Sequence, residues 1–171
     1  MILSLALFSC SKIALEGSTM EYLESLHIVP VTLQQANCFI AEHNGRYHAY
    51  RSHCFAIGCA ADNELVGVVV VGRPSNKALN DGQTLAVSYI HTMGGRTAYG
   101  MLYSAAARAA KAMGHHRIIA FLAEDRPDSG LRTAGWKRAE SIECRDGQVS
   151  QKICYEQRFT SQQRKRSARA K

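Results

Sequence analysis

The chain has 171 residues, 46% of them hydrophobic, and a formal net charge of +7 from 21 Lys and Arg against 14 Asp and Glu. That length suits one compact domain with a sizeable core, and no apolar run approaches the length of a bilayer-spanning helix, which excludes a helical membrane span. The charge is uneven: all 14 acidic residues precede Gln157, whereas Arg158, Arg164, Lys165, Arg166, Arg169 and Lys171 follow it, so the basicity belongs to the tail.

The opening MILSLALFS followed by Cys10 has the outline of a lipoprotein signal. It lacks a Lys or Arg before the apolar run, the run is short, and Phe8 is bulky so close to a cleavage site. Residues 1–25 are therefore read as a loose leader, with Met20 as an alternative start, and the protein as cytoplasmic. The six cysteines (Cys10, Cys38, Cys54, Cys59, Cys144 and Cys154) sit mostly in apolar segments. Without a secretion signal they predict reduced thiols rather than a disulfide framework.

Leu26–Thr32 reads as a first strand, and Pro30 within it predicts an edge or a bulge. Thr32 offers an N-cap with Gln35 at the capping-box position, opening a helix that Gly45 can stop. Residues 44–52 are polar and predict a loop or a short irregular helix. HCFAIGCAA and ELVGVVVVGRP are apolar strands around Asp62-Asn63, a pair suited to a tight hairpin turn, and the Val-rich second strand predicts burial on both faces near the sheet centre.

Residues 84–124 form the central unit: a strand, the turn Met93–Thr97, an alanine-rich helix over Ala98–Met113 ended by Gly114, and a second apolar strand. A crossover of this length predicts two parallel strands. Ala98, Met101, Leu102, Ala105, Ala109, Ala112 and Met113 are its predicted apolar face. A short helix over Pro127–Ala134, begun near Asp128 or Ser129, leads to Gly135-Trp136. Trp136–Cys144 and Gln148–Phe159 then read as strands around Asp146-Gly147, with Val149, Ile153, Tyr155 and Phe159 on one face. The order β-α-β-β-β-α-β-α-β-β predicts a mixed α/β sheet with helices on both faces. The tail, residues 160–171, predicts disorder; it can contact nucleic-acid phosphates or stay solvated, and both readings stay open.

This order, over Leu26–Phe159, resembles the GNAT acetyltransferase fold. The resemblance implies an acyltransferase whose donor is acetyl-CoA, with the pyrophosphate held by the backbone amides of Met93, Gly94, Gly95, Arg96, Thr97 and Ala98. The physics of the turn agrees, since glycines let a phosphate approach the backbone and a helix N-terminus favours an anion. The usual Arg/Gln-x-x-Gly-x-Gly/Ala signature is incomplete, with His91 in its first place and Arg96 in its last. LYSAAARAAKAMGHHRIIAF followed by SGLRTAGW further resembles a phage- and prophage-associated branch related to Mom-type proteins, which modify adenine in DNA. In that branch the strand before the turn carries a Glu and an Arg; here Ala86 and Tyr89 occupy those places, which implies an altered or lost mechanism.

Acyl transfer to an amine needs a base for the amine proton and an acid for the leaving thiolate. His91 near one strand end, and Glu124 or Asp125 at the other, are candidate bases at the carboxyl edge where open α/β sheets bind ligands. Tyr99, Tyr103 and Ser129 are candidate acids. For the tyrosines packing, and for Glu124 and Asp125 a solvated loop, are the simpler roles. Metal ligation by His43, His48, His53, Cys54 and Cys59 is not expected, because Cys54 and Cys59 fall on opposite faces of a strand and the short zinc spacings are missing. Three functions follow: an acetyl-CoA-dependent acyltransferase in a phage or prophage setting, a Mom-like modifier of adenine, and a catalytically degenerate member that binds DNA or protein.

Overall fold

The computed structural model describes residues 25–43, 49–124, 126–139 and 152–159. Residues 1–24 of the expected 1–25 leader, the Asp146-Gly147 turn and the tail over residues 160–171 lie outside them. The elements are β1 (His27–Pro30), α1 (Leu33–His43), β2 (Phe55–Ala61), β3 (Glu64–Gly72), β4 (Thr84–Thr92), α2 (Gly95–Ala112), β5 (Arg117–Ala123), α3 (Ser129–Thr133), β6 (Lys137–Arg138) and β7 (Lys152–Arg158). This is the expected order. One sheet results, with strands arranged β1-β2-β3-β4-β5-β7-β6. Every pairing is antiparallel except β4 with β5, the predicted parallel pair joined by a crossover helix.

Local chemistry accounts for the element ends. Thr32 and Gln35 close a capping box: the Gln35 amide donates to Thr32 Oγ1 at 3.2 Å and the Thr32 amide to Gln35 Oε1 at 2.8 Å. This satisfies two donors that the first turn of α1 would otherwise leave open. Asp62 and Asn63 both take positive φ, 47° and 69°, as a two-residue hairpin turn matched to strand twist requires. Pro30 stands on the edge strand, where its missing N–H costs no ladder bond.

Both faces of the sheet are covered. On one, α2 sets Ala98, Leu102, Tyr103, Ala106 and Ala110 against Val69, Val71, Leu85 and Ile118, with Leu131, Trp136 and Tyr155 completing the cluster. On the other, α1 lays Ala36, Phe39 and Ile40 on Val68 and Val70. Each fully buried Leu or Ile contributes about 1.5–3 kcal/mol. Strand β3 is buried on both faces, as its Val run predicts. Ile153, Tyr155 and Phe159 share the α2 face, as their parity predicts.

Several boundaries differ from expectation. Helix α2 begins at Gly95 rather than Ala98 and is capped by Gly94. Its buried face is also rotated: Ala112 and Met113 are exposed, and Tyr103, Ala106, Ala107 and Ala110 lie inside. Alanines surround most of the helix, so periodicity offers little contrast between its faces. Strand β6 is two residues long within the described region. Cys59 and Cys154 are buried, while Cys38 and Cys54 are exposed.

Candidate functional site

The site grows from a break in the sheet. β4 and β5 pair only from Thr84↔Arg117 to Val87↔Ala120. Ser88–Thr92 continue beside β3 alone, and Phe121–Ala123 beside β7. The break coincides with a bulge: Val70 faces Tyr89 and Val71 faces Val87, so Ser88 is the extra residue. A bulge bends its strand and increases its local twist, which here carries the end of β4 away from β5. The result is a cleft between parallel strands at their carboxyl ends.

Helix α2 starts at the mouth of that cleft. Thr92, 7% exposed, donates from Oγ1 to the Val66 carbonyl at 2.9 Å and accepts the Gly94 amide at 2.9 Å. The Met93 amide donates to the Val66 carbonyl at 2.8 Å. Two of the six predicted anion-facing residues thus spend their amides within the protein. The amides of the next residues, Gly95, Arg96 and Thr97, open the helix, whereas that of Ala98 enters the helical ladder, and Gly94 supplies no side-chain cap. Gly95 holds φ +66°, and a Cβ there would meet nothing within 4 Å, so the approach to the first turn is open. Arg96 and Thr97 are exposed beside it, and Ala98 is buried.

His91 lies on the α1 face of β4, half-buried beside the stacked rings of Phe39 and His43, with ring centroids at 6.3 and 6.0 Å. Burial, followed by the charges of His43 and Arg126, lowers its pKa from the ordinary histidine value. The imidazole is therefore neutral near pH 7, as a proton acceptor must be. Tyr89 shares this face, 6.1 Å from the ring of Tyr50.

The other candidates separate. Tyr103 is buried edge-on against Trp136 at 5.5 Å, and burial, then Tyr99, push its phenol pKa well above the usual value. Tyr99 is half-buried in the first turns of α2, where the Gly130 backbone crosses so closely that a Cβ on Gly130 would lie 2.8 Å from Tyr99 Cβ. Glu124 is exposed just past β5. Ser129 opens α3, and its carbonyl accepts the Thr133 hydroxyl at 2.8 Å. Asp125 lies outside the described residues. Among the tail cations only Arg158 is described; it pairs with Glu156 at 2.8 Å, at the end of β7. Among the described residues, no group of three or more His, Cys, Asp or Glu could hold a metal ion, and no helix is long and apolar enough to cross a membrane.

Sequence reasoning missed three contributors. Thr92 carries a readable signal, a hydroxyl residue two positions before a glycine at a strand end, the pattern of a side-chain-capped turn. Asp128 accepts the Tyr155 hydroxyl and the Arg132 guanidinium, each at 2.7 Å, which ties β7 to the start of α3. These bonds, that of Tyr155 first, hold its carboxyl below the usual range. Tyr50 sits in a polar stretch and reaches β4 only through tertiary structure.

No protein-family model and no curated protein sequence matches the chain. Solved structures do match its fold. A Salmonella typhimurium protein described as an acetyltransferase, solved with its cofactor acetyl-CoA, superposes with a TM-score of 0.59 at 10% identity, covering 80% of this chain and 95% of its own. An N-acetyltransferase from Staphylococcus aureus gives 0.59 at 14% identity over 79% and 99%. An acetyltransferase of the GNAT family from Streptococcus pneumoniae gives 0.57 at 11% identity over 79% and 99%. The chain therefore has the GNAT fold. These likenesses lend no support to the Mom-type branch, to a phage setting or to DNA binding.

Proposed function

We propose that this protein is an N-acyltransferase whose donor is acetyl-CoA. One observation carries the reading: the parallel pair parts after Val87 and Ala120, and the N-terminus of an 18-residue helix, with no side-chain cap, stands at the opening. A long, thin donor with an anionic middle suits a cleft with free amides at its mouth. The amides of Gly95, Arg96 and Thr97, with the Arg96 guanidinium, receive the pyrophosphate; those of Met93 and Gly94 shape the turn instead, and that of Ala98 belongs to the helical ladder. The thioester supplies an activated acyl group.

The acceptor amine approaches from the α1 face, where His91 removes its proton as nitrogen attacks the acyl carbon. The carbon–sulfur bond breaks, and the departing thiolate takes a proton from the Tyr99 phenol in the first turns of α2. Tyr103 serves packing, and Glu124 and Ser129 have no role in this scheme. The pairing of a neutral base on one face with a phenol on the other supports a donor lying between them.

Calorimetric titration and thermal shift with acetyl-CoA and desulfo-CoA test the donor. Micromolar binding of both, with a higher melting temperature, is expected. A folded sample that neither ligand stabilises would overturn the reading.

A further inference from the structure

The carbonyl at the point where β4 leaves β5 receives a hydroxyl from outside the sheet. Tyr50 Oη donates to the Ser88 carbonyl at 2.9 Å. Ser88 is the bulge residue, opposite no residue of β3 and beyond the last residue paired with β5. A bulge moved by one position would reverse the facing of the intervening residue and displace the break from β5. Something must therefore fix which residue bulges, and side-chain volume does not: Ser88 is small and exposed. The hydroxyl of Tyr50 singles out this one carbonyl.

Tyr50 is itself clamped. Its amide donates to Asn37 Oδ1 at 3.2 Å and its carbonyl accepts Asn37 Nδ2 at 3.0 Å, so a side-chain amide of α1 holds its backbone as a neighbouring strand would. Its ring lies 6.1 Å from that of Tyr89, the residue after the bulge. A continuous path thus runs from α1 through Asn37 and Tyr50 to the apex of the cleft.

We infer that Tyr50 is a positioning residue for the donor cleft: its hydroxyl fixes the bulge at Ser88 and thereby the parting of β4 from β5. As a statement about the donor this rests on the acyltransferase reading; as a statement about the bulge it does not.

The test is Tyr50→Phe, which removes the hydroxyl and leaves the ring. A hydrogen bond is worth about 0.5–1.5 kcal/mol net, so acetyl-CoA affinity is expected to fall about two- to tenfold. The donor KM should rise with it while kcat at saturating donor stays unchanged, a split that general destabilisation would not produce. Amide exchange of the Thr84–Thr92 segment should quicken, with α2 and β5 unaffected. Unchanged affinity, or unchanged exchange in that segment, overturns the inference. If the wild-type protein binds no acetyl-CoA, the donor reading fails, and the exchange measurement alone decides whether Tyr50 holds the bulge. Should Tyr50→Phe not fold, Asn37→Ala takes its place with the same expected outcomes.

Discussion

His43, the last residue of α1, and His91, next to last in β4, hold their imidazoles 6.0 Å apart, with Phe39 stacked on His43 at 4.3 Å. His43 Nδ1 lies 2.8 Å from the Phe39 carbonyl, which fixes that ring and lets its charge, when protonated, oppose a second charge on His91. Burial first, and the His43 charge after it, make the folded His91 titrate below its unfolded value of about 6.5. As pH falls through that value the unfolded chain takes up the proton first, so folded stability declines below about pH 6.5. His91→Gln should flatten the decline between pH 7 and 5 in urea melts. In His43→Gln the opposing charge is gone, so the His91 titration followed by NMR should move to higher pH, and the acid limb of kcat/KM with it. A midpoint that stays or falls would contradict the coupling.

Thr92 anchors the turn with two hydrogen bonds from one hydroxyl. Thr92→Val keeps the shape and loses both, leaving the Gly94 amide without its acceptor. A loss of about 1–3 kcal/mol is expected, read as a melting temperature lower by roughly 2–12 °C for a chain of this size. Weaker binding of acetyl-CoA should accompany it, because the same bonds set the start of α2.

Gly130 lets α3 cross α2 at close range. In Gly130→Ala the new Cβ would meet Tyr99 Cβ at 2.8 Å, and neither atom can swing aside. Overpacking of this kind costs about 1–3 kcal/mol. Gly82→Ala is the control: φ is +76° and nothing lies within 4 Å, so only the backbone preference, about 1–2 kcal/mol, applies. Paired denaturation curves should show a loss of stability in both variants, and the native-state NMR signals of Tyr99 should shift only in the first.

The Asp128 carboxylate, hydrogen-bonded by Tyr155 and then Arg132, titrates below its usual range when folded. Its contribution is present above the unfolded value and is lost as pH falls through the lower folded one. Tyr155→Phe removes the larger cause. The loss of stability between pH 5 and 3, measured by chemical denaturation, should therefore shrink; an equal or steeper loss would contradict the assignment.

The fold was legible because its signals are local. Thr32 and Gln35 announce a capped helix, Asp62-Asn63 a hairpin, and the Val run of β3 a central strand. The central crossover could be read from the length of helix between two apolar strands. The cleft could not, since nothing in LAVSYIHT marks Ser88 as the extra residue; the bulge depends on Tyr50, 38 positions earlier. Tyr103 illustrates the opposite difficulty: its helical position admits either an acid or a core role, and only the contact with Trp136 separates them. The start of α2 was misplaced because Thr92, three residues upstream of Gly95, sets it through its side chain.

The two-residue turn at Asp62-Asn63 also bears on the order in which the molecule assembles. It brings β2 and β3 together with almost no loop to close, whereas β4 and β5 meet across 33 positions. Local pairings of this kind form early and distant ones late. The opening between β4 and β5 thus exists only once the long crossover has docked. A ligand lodged there would be expected to slow unfolding rather than speed folding, protecting the finished protein without guiding its formation.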